Sequence, residues 1–121
     1  MAAFKSSEEI IAWQKARENA KLVYDITKKN GFERDFDLRN QIRDSATSVM
    51  GNIAEGFDRD TDKEFVRFLY ISRASNSETL SHLYVALDQK YISVDDFTTM
   101  KEKNLEVKRL LNGLIGYLSE K

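Results

Sequence analysis

Proline is absent from all 121 residues, so nowhere does a missing amide donor or a ring clash bar the chain from an α-helix. One interior proline costs a helix roughly 3 kcal/mol. On that permissive background, apolar residues recur at steps of three and four, the period of a single helix face. No strand-like alternation competes with it.

The stripes fall into four segments. Ser6-Ser7-Glu8-Glu9 has the spacing of a capping box between Ser6 and Glu9. Trp13, Ala16, Ala20, Val23, Tyr24 and Thr27 follow on one face, and Gly31 supplies a stop. The second segment starts near Asp35, carries Leu38, Ile42, Ser45, Val49 and Ile53, and ends at Gly56. The third opens on Thr61-Asp62-Lys63-Glu64, a second capping box, and continues through Phe65, Leu69, Ser72, Asn76, Leu80, Leu83 and Leu87. The fourth starts at Ser93, with Asp95 and Asp96 in the first turn, where carboxylates suit the helix dipole. Its seam is Phe97, Met100, Asn104, Val107, Leu111, Leu114 and Leu118, the alternation of threes and fours that packs knobs into holes.

The links around residues 30–34, 57–60 and 91–93 are short, which makes sequence neighbours antiparallel. The pattern therefore predicts an all-α, up-down-up-down antiparallel four-helix bundle, a single domain over residues 1–121. Helices of about 20 to 28 residues would be roughly 30–42 Å long.

Composition narrows the chemistry. Hydrophobic residues at 41% and charged residues at 32% suit a folded soluble chain rather than a disordered one. Without cysteine there is no disulfide framework, thiol nucleophile or thiolate metal site. No apolar run reaches the roughly 18 residues of a membrane span, and Met1-Ala2-Ala3-Phe4-Lys5-Ser6 has no signal-peptide core. The expected setting is cytoplasmic. A net charge of −1 argues against a large, generic nucleic-acid footprint.

Two helices carry more apolar surface than one core needs. Arg67, Ile71, Ala74, Glu78 and Val85 run along helix three away from its core stripe, flanked by Tyr70 and Tyr84. Leu110, Ile115 and Tyr117 lie beside the seam of helix four. Scattered surface apolar residues are normal, whereas contiguous stripes mark association sites. Self-association is the simpler account.

Candidate catalytic groups are few. His82 is the only histidine and forms Glu-x-x-x-His with Glu78, whereas di-iron bundles use Glu-x-x-His on two helices. No nucleophile elbow, P-loop or dinucleotide fingerprint occurs, so neither an enzyme nor a cofactor is expected. Within Asn52-Ile53-Ala54-Glu55-Gly56, Glu55 stands in the last turn of helix two, against the dipole. It shares a strip with Ser48 and Asn52, and either pairs with an arginine of another helix or subunit or stays solvated. For phosphate the available forks are Arg39, Arg43, Arg59, Arg67 and Arg73, with Lys63, all interspersed with aspartates.

The order of motifs is informative. Trp13-Gln14-Lys15-Ala16 precedes Gln41-Ile42-Arg43 and Asn52-Ile53-Ala54-Glu55-Gly56. Glu64-Phe65-Val66-Arg67-Phe68-Leu69 and Ser75-Asn76-Ser77-Glu78-Thr79 come next. The set resembles the bacterial four-helix bundle family associated with intervening sequences of 23S ribosomal RNA genes, often labelled S23 ribosomal protein. The resemblance implies an up-and-down bundle assembling as a homopentamer. It also implies kinship with the accessory variability determinants of diversity-generating retroelements, pentamers that bind nucleic acid and a reverse transcriptase through basic surfaces. No enzymatic activity is attached to the family. Two positions depart from it: Ser48-Val49-Met50-Gly51 replaces a frequent Ser-Ile-Pro, and Asp44 stands where many members are more basic.

The resulting expectation is a non-catalytic homo-oligomer acting as an accessory module for structured RNA or an RNA-handling protein. Arg39, Arg43, Arg67 and Arg73 are its candidate phosphate or partner contacts. Asn52, Glu55, Ile71 and Glu78 are assigned structural or interface roles. The alternative is a protein-interaction scaffold that binds no nucleic acid, supported by the balanced charge. A metal-binding or small-molecule enzyme would need a polar cluster in the core, and the polar seam positions are Ser45, Ser72, Asn76 and Asn104.

Overall fold

A computed structural model describes residues 4–120, so Met1, Ala2 and Ala3 of the start lie outside the described residues. Four α-helices follow in order: α1 (Ile11–Ile26), α2 (Phe36–Phe57), α3 (Asp62–Asp88) and α4 (Val94–Ser119). Each packs against its sequence neighbour, and α4 closes back on α1. No strand occurs among the described residues.

Three of the four helix starts match the capping chemistry of the sequence. Asp35, Thr61 and Ser93 each accept a hydrogen bond from the amide three residues on, at Leu38, Glu64 and Asp96. Such a cap contributes about 1 kcal/mol. The first start differs. Ser6 makes no side-chain cap, Ser7–Glu9 form a separate 3-10 turn, and Ile10 is extended before α1 begins. Ile10 lies two residues before the buried Ala12, roughly 200° around a continuous helix and so on the wrong face. Breaking the helix there swings Ile10 into the core, where it is 2% exposed.

Two glycines do other work than the stop expected of them. α1 has ended by Ile26, with Thr27 bonding back to the carbonyls of Val23 and Tyr24, so it is shorter than the spacing predicts, at 16 residues. Gly31 (φ +91°) follows Asn30 (φ +61°) in a left-handed turn that drives Phe32 into the core. Gly56 lies inside the last turn of α2, where a Cβ would stand 2.7 Å from Phe68 Cβ and 2.9 Å from Phe65 Cδ1. It permits close approach to α3.

The core divides into two apolar halves. One gathers Val23, Phe32, Ile42, Leu83 and Met100, the other Ile10, Ile53, Phe65, Leu69 and Leu111. Between them lies a polar layer. Asn76 and Asn104 each donate through Nδ2 to the other's backbone carbonyl and side-chain oxygen, at 2.8 to 3.2 Å. Ser45 pairs with Thr79 at 2.8 Å, and Ser72 donates to the Val49 carbonyl at 2.7 Å. Among the described residues no buried side-chain polar atom lacks a partner. Of the polar seam positions, Asn76 and Asn104 thus satisfy each other, while Ser45 and Ser72 are satisfied by Thr79 and by the Val49 carbonyl.

Other placements differ from the stripes. Tyr24 is 37% exposed rather than buried, whereas Ile115, expected beside the seam, is 7% exposed and part of the core. Both lie at the edge of a stripe, where a helical wheel does not decide between core and rim. No helix among the described residues is long and apolar enough to cross a membrane.

Candidate nucleic-acid interface

The two flanks of α2 carry opposite charge. Arg39 and Arg43 are one turn apart, and Arg43 Nε donates to Thr27 Oγ1 of α1's C-cap at 2.8 Å, so this flank faces α1. Asp37, Gln41, Asp44, Ser48, Asn52 and Glu55 recur at threes and fours on the other flank. Ser48 Oγ meets Ser75 Oγ of α3 at 2.9 Å, which fixes that flank against α3. Asp37 and Asp44, which intersperse with Arg39 and Arg43 along the sequence, therefore separate from them in space.

The arginines on the α1 side are held rather than free. Arg43 lies over the Tyr24 ring at 4.5 Å, and its Nη groups make no hydrogen bond among the described residues. Arg39 lies over the Phe36 ring at 4.8 Å and donates through Nη1 to the Glu33 carbonyl at 3.1 Å. Further along α1, Arg17 lies over Trp13 at 5.9 Å. Trp13, Arg17, Lys21, Tyr24 and Lys28 step by fours and threes along one edge of this helix and the turn beyond it.

The other two candidate arginines lie elsewhere. Arg67 is occupied by Glu64, through Nε at 3.1 Å and Nη2 at 3.3 Å, and it lies over Phe68. Its hydrogen bonds hold the Glu64 carboxyl below the ordinary range. Arg73 Nη1 donates to Asn112 Oδ1 of α4 at 2.7 Å, and its guanidinium lies over Tyr70. The structure thus brings Arg39 and Arg43 together and leaves Arg67 and Arg73 apart from them. Trp13 and Tyr24, expected on the buried stripe of α1, and Arg17 and Phe36, not expected at a site, belong to this face. Their spacing is the signal, but only the antiparallel pairing of α1 with α2 joins them.

The remaining candidates line α2 and α3. Asn52 Nδ2 donates to the Ser48 carbonyl and hydroxyl, both at 2.9 Å, and so extends the Ser48–Ser75 link. Glu55 is exposed and has no ion pair among the described residues. Glu78 Oε2 is 3.2 Å from His82 Nε2, and the His82 side chain is only 14% exposed, more covered than a surface histidine. Ile71 and Val85 stand on the outer face of α3 at 39% and 43% exposure. Among the described residues no three acidic, histidine or cysteine side chains converge as a metal set.

Fold and site together define an all-helical antiparallel bundle with a satisfied polar core and an arginine-bearing outer face. The chain belongs to the 23S rRNA-intervening sequence protein family, whose model matches residues 8–113. No curated protein matches it. It is similar to a crystal structure at 1.70 Å of a protein of unknown function from the S23 ribosomal protein family of Bacteroides thetaiotaomicron VPI-5482. The TM-score is 0.81 at 24% identity, over 88% of this chain and 96% of that one, which establishes a common fold.

Proposed function

We propose that the protein is a non-catalytic, cytoplasmic homo-oligomer, a pentamer on its family resemblance, that serves as an accessory module for RNA. The observation that carries this reading is the charge segregation on α2. Arg39 and Arg43 share the α1 side, while Asp37, Asp44 and Glu55 lie on the α3 side. A chain of net charge −1 has little general attraction for phosphate. A fixed pair of guanidinium forks concentrates what it has.

Replacing Arg39 and Arg43 together by alanine is expected to weaken RNA binding and lower the salt slope by about two, one for each lost phosphate contact. Filter binding across a salt series measures both. Unchanged affinity and slope would remove the two arginines from the interface.

A second reading, a protein-interaction scaffold, draws on the outer face of α3, where Ile71, Ala74 and Val85 are exposed without a charged neighbour between them on that line except Glu78. It keeps self-association and drops RNA. Native mass spectrometry of protein purified without nuclease separates the two, since only the accessory module carries nucleic-acid mass.

A further inference from the structure

We infer that the α1–α2 face binds unpaired RNA, with bases stacking on the aromatic–arginine pairs of Trp13, Tyr24 and Phe36 and phosphates on Arg17, Arg39 and Arg43. The inference rests on the RNA reading above and names the class of RNA.

Its first support is the exposure of two of the three rings, Trp13 being half-buried against the core. Phe36 is 61% exposed at the first position of α2, and Tyr24 is 37% exposed. Neither ring is needed to fill the core. Each instead lies beneath a guanidinium whose orientation is fixed from elsewhere, by the Glu33 carbonyl for Arg39 and by Thr27 for Arg43. A ring and a guanidinium plane held together form a stacking platform that tolerates any base.

Alignment is the second support. Trp13 and Tyr24 are eleven residues apart, close to three full turns, so they project from one edge of α1 about 16 Å apart. Arg43 joins that edge to α2, and Phe36 continues it one turn before Arg39. Each ring therefore has an arginine beside it along this face, which offers a single strand surfaces for both bases and phosphates.

The charge balance favours single strand over duplex. A duplex hides its base faces and offers chiefly phosphates and hydroxyls, so cations alone would have to hold it. The three arginines of this face already lie over rings, Lys21 pairs with Asp25, and the whole chain is nearly neutral. Unpaired bases add stacking, a contribution from the rings that a duplex cannot collect.

Trp13 is the only tryptophan, so its fluorescence reports directly on stacking. The test titrates the full-length protein with a uridylate dodecamer and, separately, with a mixed-sequence RNA duplex carrying the same number of phosphates. Tighter binding of the dodecamer with quenching of Trp13 is expected. Phe36→Ala should weaken that binding about tenfold or more and leave the salt slope unchanged. Its thermal melt serves as the control for folding. Equal affinity for the duplex, with no effect of Phe36→Ala, would overturn the stacking inference and leave the RNA reading standing. Binding of neither RNA would remove both.

Discussion

At Gly56 a single methyl group decides how closely α2 and α3 approach. The nearest atoms to an added Cβ are Phe68 Cβ at 2.7 Å and Phe65 Cδ1 at 2.9 Å, with the Phe65 carbonyl at 3.2 Å. Two of these are fixed to backbone and have no rotamer by which to move away. Alanine would gain about 1 kcal/mol of helix propensity, but overpacking of this kind costs roughly 1–3 kcal/mol. Gly56→Ala is therefore expected to lower the urea midpoint, and a raised midpoint would show that the helices part easily. In the sequence, Gly56 reads as a helix stop because a stop and a close approach both require the missing Cβ. Only the facing phenylalanines distinguish the two.

The Asn76–Asn104 pair invites a double substitution. Both amides are buried, and each is the other's partner. Replacing either one alone by leucine leaves the other's Nδ2 on the backbone carbonyl but orphans its buried side-chain oxygen, at a cost of roughly 1–3 kcal/mol beyond the lost bonds. Replacing both removes the orphan along with the bond. Chemical denaturation of the four proteins should give a coupling above about 1 kcal/mol, with the double variant recovering part of the loss. Simply additive losses would mean that each asparagine finds another partner. The seam spacing made these residues legible as polar positions, but not as reciprocal partners on neighbouring helices.

At the scale of elements, the N-cap of α2 and the link between α3 and α4 are tied by a side-chain bond. Tyr91 OH donates to Asp35 Oδ2 at 3.0 Å, and the Tyr91 ring stacks on buried Phe32 with centroids 5.0 Å apart. The hydrogen bond to Asp35, with desolvation and the charge of that carboxylate, pushes the phenol above its ordinary value of 10.0. A raised folded value means that the tie stabilises fully below about pH 10 and is lost as pH rises through the folded value. Tyr91→Phe should thus be less stable than the parent near neutrality, and the gap should close in alkali. Urea melts from about pH 8 to 11 read this gap, and a constant gap would remove the ionising group from the account. Nothing local in the sequence joins residues so far apart. By contrast, the caps at Asp35, Thr61 and Ser93 were legible because their chemistry is contained within four residues. The charge segregation of α2 was half legible: the wheel divides Arg39 and Arg43 from Asp37 and Asp44, but only contacts with α1 and α3 say which flank faces which helix.

For the molecule as a whole, the unspent surface lies on the outer face of α3. Ile71, Ala74 and Val85 share one line, and Tyr70 is 47% exposed at its flank. Tyr84, also exposed, is engaged by α4, since Lys101 Nζ donates to its hydroxyl at 2.8 Å and its ring meets Phe97 edge-on. The uncommitted part is therefore a narrow apolar strip bordered by Arg67, Glu78 and, across the α2 groove, Glu55. A strip of this shape with charges at its margin would suit packing against a second copy, which could supply the ion-pair partner that Glu55 does not have among the described residues. Ile71→Glu combined with Val85→Glu places like charges along that line and should convert the proposed homo-oligomer to monomer in sedimentation velocity, with the helical circular dichroism retained. Arg39→Ala with Arg43→Ala lies on the α1 side and should leave the mass unchanged. If the double glutamate variant kept the parent mass, the contact would have to lie elsewhere. The apolar strip would then be ordinary surface.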